Sequence, residues 1–353
     1  VWSLAAALVV AVALAGILYQ LIGSARSARR FPPPGRLVEA GGHRLHAVCL
    51  GEGAPAVVLE SGIAASSLSW ARVLPEVATF TRVCAYDRAG LAWSDPARTP
   101  RTLPRVVDEL YALLTSLGPV ESCVMVGHSF GAFVCLAYAA RYPDRVEGLV
   151  LVDPPSDWVE ADRKQARLLR GAVLLSRLGG LLARLGVVRA CLALLTGGRP
   201  AGPRYVSRLF GPTAARTLER LVGEVRKLPP AIHPVVQAHW SEPKCFRAMA
   251  DHLSALPEAV RATAQIALPQ DIPLVVISGG DQTPAVVAAH AALARKSSRG
   301  RHTIARHSRH WIQFDEPELI VEAIRELVEQ ARRRGADPRR ERPAHDARGK
   351  AVT

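Results

Sequence analysis

A chain of 353 residues, 49% hydrophobic and 22% charged, can bury one large core or two smaller ones and is too apolar to be disordered. Its apolar residues are too evenly spread for a multi-pass membrane protein. The formal net charge of +14 is confined to residues 154–245 and 332–353, which argues against a nucleic-acid-binding body, and no recognition motif accompanies it.

Residues 1–25 carry no charge and are long enough, at about 1.5 Å per residue, to cross a hydrocarbon core of roughly 30 Å. An uncleaved single-pass anchor is expected in preference to a signal peptide, because no basic stretch leads it and the apolar run exceeds the usual core of about 7–15 residues. Arg26, Arg29 and Arg30 follow directly, and by the positive-inside tendency they keep the body in the cytoplasm. A basic residue ahead of Val1 would reverse that orientation. Residues 26–35 read as a linker, closed by the helix-stopping Pro32-Pro33-Pro34-Gly35.

From residue 36 the pattern becomes strands and helices in alternation. Gly41-Gly42 separates Arg36–Ala40 from Arg44–Leu50 and predicts an antiparallel hairpin. Apolar runs at Ala56–Leu59, Arg82–Tyr86, Cys123–Val126, Gly148–Val152, Pro273–Ser278 and Arg301–Ile304 predict strands buried on both faces. Helices are expected over Leu103–Leu117, Phe130–Arg141 and residues 318–333. The result is an α/β body over 36–153 and 271–331, with a mostly parallel sheet. Residues 154–270 interrupt it as a basic, helix-rich cap, and 332–353 form a basic tail with no core-forming pattern. Within the cap, Arg170, Arg177, Arg184 and Arg189 recur at nearly heptad spacing among leucines. An ordinary amphipathic helix pair with a solvated polar face is the favoured reading; contact with anionic lipid is the sharper one. The six cysteines (Cys49, Cys84, Cys123, Cys135, Cys191 and Cys245) have no metal-ligand spacing and are expected as inert thiols, with a disulfide left open.

Cys123–Gly131, CVMVGHSFG, runs from an apolar strand through G-x-S-x-G into a helix. In that setting a sharp turn lifts the hydroxyl of Ser129 above the sheet edge and backs it with the free N–H groups of a helix start. Ser129 is therefore the expected nucleophile. It needs a base, and His310, between the Arg301–Ile304 strand and the last helix, is favoured over His307; His128 is expected to shape the turn. Asp281, just past the Pro273–Ser278 strand, is the expected carboxylate partner, with Asp153 as runner-up.

These residues resemble the α/β-hydrolase superfamily. Tyr86–Pro96 is similar to its Asp-Arg-x-Gly-x-x-x-Ser loop and Pro143-Asp144-Arg145-Val146 to its stretch after the nucleophile helix. The leading apolar segment and the Pro32–Arg36 stretch resemble bacterial membrane-anchored serine hydrolases of the esterase or lipase type. The resemblance implies backbone oxyanion donors at Ile63 and Phe130, although Glu60-Ser61-Gly62 replaces the family's usual His-Gly. It also implies acyl transfer on an ester or related bond, with no cofactor or metal required. The expected partners are a small acyl substrate and a membrane, not nucleic acid. The alternatives are a thioesterase, amidase or perhydrolase on the same fold, or a non-catalytic hydrolase-like binding protein. A serine nucleophile argues against the superfamily's dehalogenases and epoxide hydrolases, which use aspartate.

Overall fold

The structure, a computed structural model, describes residues 2–97, 100–118, 122–155, 163–196 and 224–336. Eight strands form one sheet: β1 (Arg36–Glu39), β2 (Arg44–Leu50), β3 (Ala56–Glu60), β4 (Val83–Tyr86), β5 (Cys123–His128), β6 (Val146–Val152), β7 (Leu274–Gly279) and β8 (Gly300–Ala305). Their spatial order is β1-β2-β4-β3-β5-β6-β7-β8. The hairpin is antiparallel, β2 runs antiparallel to β4, and β3 to β8 are parallel.

The helices are α1 (Trp2–Arg30), α2 (Leu74–Ala78), α3 (Leu103–Ser116), α4 (Phe130–Arg141), α5 (Arg163–Arg184), α6 (Val187–Thr196), α7 (His233–Trp240), α8 (Pro243–Ala264), α9 (Pro284–Ala294), α10 (Ile312–Asp315) and α11 (Pro317–Gly335). Strand residues alternate between two cores because successive side chains point to opposite faces. Ala56 and Val58 join α3 and α4 on one face. Val57 and Leu59 join α2 and α11 on the other, where Ile320, Ile324 and Leu327 are at most 1% exposed. β3, β5, β6 and β7 are therefore apolar almost throughout, as strands covered on both sides must be.

Two boundaries differ from the sequence reading. The first helix does not end at residue 25: it runs through the three arginines to Arg30, and the proline run stops it only there. The last helix runs from Pro317 to Gly335, two residues past the expected end at 333, and residues 337–353 of the expected tail lie outside the described residues. The cap is helical where described, as α5 to α8, while 156–162 and 197–223 lie outside the described residues.

The cysteine reading also changes. Cys49 on β2 and Cys84 on β4 are directly opposite in the antiparallel register, with Cα atoms 4.1 Å apart, and they form a disulfide. Sequence cannot supply that register, because the partner strand is reached across an intervening strand. Cys123, Cys135, Cys191 and Cys245 are free and buried, as expected.

Candidate active site

The nucleophile turn is built by close packing. Ser129 links β5 to α4 with φ 52° and ψ −122°, a left-handed backbone that an L-residue holds only under constraint. Its N–H donates to the Val152 carbonyl at 2.9 Å, tying the turn to the end of β6. The glycines on either side have no room for a side chain. A Cβ on Gly127 would lie 2.6 Å from Gly131, and one on Gly131 would lie 2.4 Å from the Glu60 carbonyl oxygen. Gly-x-Ser-x-Gly is thus a packing requirement between β5, α4 and the end of β3.

His310 lies in the loop after β8. Its Nδ1–H donates to Asp153 Oδ2 at 2.7 Å, so Nε2 is left as the acceptor. Asp153 follows β6 with φ 44° and is buried. It also accepts from the Gly279 N–H at 3.0 Å and from Gln282 Nε2 at 2.7 Å. Burial works against its ionisation, but the hydrogen bonds from His310 and Gly279 outweigh that and hold the carboxyl below its ordinary value.

The choice of Asp281 is therefore corrected. Asp281 lies past β7 but points outward, half-exposed, 3.7 Å from Arg309 Nε. The reason is the turn before it: the Gly280 N–H donates to the Ser308 carbonyl at 2.7 Å, and a Cβ there would lie 2.6 Å from the Arg306 carbonyl oxygen. This presses the loop against the histidine loop with Asp281 outside and hands the inner place to Gln282. The two aspartates end adjacent parallel strands, about 4.8 Å apart, and strand order alone does not separate them.

His307 is exposed, and its N–H donates to Glu316. His128 is fully buried; its Nε2–H donates to the His310 carbonyl at 2.8 Å, and its Nδ1 accepts from Gln313 at 3.2 Å. Burial, and then the neighbouring His310, push its pKa down to about 3. A neutral His128 thus fixes the backbone of His310 and takes up no proton itself.

One cavity of about 230 Å³ collects Ser129, His310, Asp153, Ile63 and Phe130, together with Leu256 from α8, Gln282 and Val286. The loop bearing Ile63 is shaped by residues the sequence reading left unused. Arg88, 2% exposed, donates to Glu60 and to the carbonyls of Ser61 and Gly62. Tyr86 donates to the other Glu60 oxygen. Burial raises the Glu60 carboxyl above its ordinary range against the opposing pull of Arg88 and Tyr86. Ser61 donates to the Ser66 carbonyl and accepts from Trp70 Nε1. Arg88 Nε also donates at 3.2 Å to His252 Nε2 on α8, joining cap to loop. The Asp-Arg of the sequence motif was the available signal for Arg88; nothing local marked Gln282 or His252.

The α/β hydrolase fold family matches residues 55–174. A solved epoxide hydrolase superposes with a TM-score of 0.61 at 17% identity, covering 84% of this chain and 98% of its own. The chain has the α/β-hydrolase fold. Among curated relatives, an uncharacterized protein of Schizosaccharomyces pombe is 25% identical over 264 residues, 72% of this chain and 43% of that protein. The 2-hydroxymuconate semialdehyde hydrolase of a Pseudomonas species is 35% identical over 125 residues, 34% of this chain and 44% of that enzyme. The chain thus spans less than half the length of these curated relatives. Within the superfamily fold, the described site has its serine after β5, its aspartate after β6 and its histidine after β8.

Proposed function

We propose that this protein is a serine hydrolase that cleaves carboxylic esters, or related acyl bonds, through an acyl-enzyme. The observation that carries the reading is the single cavity shared by Ser129, His310 and Asp153, with the 2.7 Å contact between the last two. Asp153 holds His310 in the tautomer that leaves Nε2 free to accept the Ser129 proton. The serine oxygen then attacks the substrate carbonyl, and the N–H groups of Ile63 and Phe130 stabilise the oxyanion. His310 returns the proton to the leaving alcohol, and water, activated by the same nitrogen, releases the acid. Asp153 replaces Asp281 in this assignment.

The α1 helix is proposed as a membrane anchor: Ser3–Arg30 is long and apolar enough to cross a bilayer and is almost wholly exposed. The Cys49–Cys84 disulfide supports a body facing an oxidising compartment, against the orientation read from Arg26, Arg29 and Arg30.

A fluorophosphonate probe tests the chemistry. Wild type is expected to be labelled on Ser129 and Ser129→Ala to be unlabelled, with ester turnover falling by about 10⁵-fold or more. An unlabelled wild type, or equal labelling of the variant, would instead favour a non-catalytic binding protein.

A further inference from the structure

The cap exposes a face that its own core does not explain. On α5, Gly179 rests on the Phe246 ring of α8, where a Cβ would lie 2.5 Å from the ring. Beside that contact the helix presents Leu168, Leu174, Leu175, Leu178 and Leu181, each between 48% and 69% exposed. At 100° per residue these leucines fill one arc of the helix, and the exposed Arg170, Arg177 and Arg184 line one edge of it. Arg189 does not belong to that row. It turns inward and donates to Gln20, Ser24 and Ser27 of α1 and to Glu242.

The same corner is locked to α1. A Cβ on Gly16 would lie 2.3 Å from the Leu185 carbonyl oxygen, and one on Gly186 would lie 2.7 Å from the Gly16 oxygen. Gln20 is buried in this contact and donates to the Ser241 carbonyl at 3.1 Å. On the same turns of α1, Leu18, Leu21 and Ile22 stay exposed, and the first charge comes only at Arg26. A bilayer that covers those residues also covers the α5–α6 corner packed beside them. The polar residues of α1 that face the cap are the arrangement expected where a span meets its own protein.

We propose that α5 lies in the surface of an anionic bilayer, leucine face in the acyl region and the Arg170, Arg177, Arg184 row against lipid phosphates. The helix pair α5–α6, bent by 90° at Leu185–Gly186, then forms a shallow, non-spanning insertion beside α1. Because α5 rests on α8, whose Leu256 lines the cavity, substrates are drawn from the membrane as long-chain acyl esters. This last step rests on the serine hydrolase reading; the docking of α5 does not.

The full chain is reconstituted in equimolar phosphatidylcholine–phosphatidylglycerol vesicles, with a fluorophore on Leu178→Cys and, as control, on the exposed Asp144→Cys. A nitroxide on the upper acyl chain of the lipid is expected to quench the first and leave the second unchanged. An unquenched Leu178 probe overturns the docking, and a blue-shifted but unquenched one places a second copy of the chain there instead. Equal quenching in pure phosphatidylcholine overturns the role of the arginine row. Leu174→Glu with Leu178→Glu is expected to lower turnover of a vesicle-borne long-chain ester by about tenfold, leaving a soluble short-chain ester unchanged. Equal turnover of both esters by variant and wild type overturns the membrane-drawn substrate. A wild type that hydrolyses neither ester sinks the hydrolase reading alone, since quenching still decides the docking.

Discussion

Leucine behaves in opposite ways in the two halves of this molecule. In the body, Leu110 and Leu113 on α3 and Leu149 on β6 are fully buried between sheet and helices. In the cap, Leu168, Leu174 and Leu175 are about two-thirds exposed on a helix whose other face is well packed. Among the described residues, folding buried the first set and left the second exposed, so the row reads as a contact surface and not as poor packing. The charged residues invert the comparison. The body buries Glu60, Arg88 and Asp153 around its site, while the cap keeps Arg170, Arg177 and Arg184 outside. The body spends its polar groups on geometry; the cap displays them.

The sharpest way to break that picture is at the buried carboxylate. Asp153→Asn is expected to lower kcat on a soluble ester by about 10⁴-fold, because the amide no longer holds His310 in the accepting tautomer. Asp281→Asn is expected to stay within about twofold, as an exposed residue should. Steady-state kinetics on both variants decides between them, and the reverse ranking would restore the order read from sequence.

Next comes the buried ion pair. Arg88→Ala leaves Glu60 without its charge partner and is expected to cost about 3–5 kcal/mol in urea unfolding. A cost below about 1 kcal/mol would mean that the loop carrying Ile63 is held by Ser61 and Trp70 instead.

Reduction of Cys49–Cys84, which closes a loop of sequence separation 35, is expected to cost about 3–4 kcal/mol on chain-entropy grounds. Alkylation and mass spectrometry of protein taken directly from membranes should find four free thiols; six would return the body to a reducing compartment.

The smallest effect is a pH slope. His128 falls from an ordinary 6.5 to about 3 on folding, so its share of stability is complete above pH 6.5 and is lost as pH drops below that value. Between pH 7 and 5 the loss is about 2 kcal/mol, and His252, also driven down by burial, adds in the same direction. Asp153 adds no slope there, because its lowered carboxyl loses stability only below its ordinary 3.8. Urea midpoints at the two pH values measure the difference; equal midpoints would show His128 to be hydrated.

The sequence by itself determined what is local. Ser129 was legible because a strand, two glycines and a helix start constrain one another within a few residues, and the hairpin, every body strand and the basic tally of the cap are likewise near-neighbour patterns. His310 was legible as the histidine between the last strand and the last helix. What required the tertiary structure was every choice between equivalent places. Asp153 and Asp281 both end parallel strands, and the packing of Gly280 under Ser308 and Arg306 turned one out and left the other in. Cys49 and Cys84 became partners only through the register of β2 on β4. The arginines of the cap looked alike in sequence, yet Arg189 is clamped to α1 while its neighbours in the row face outward. The physical reason is the same each time: periodicity assigns a residue to a face, but only neighbouring elements decide what that face meets.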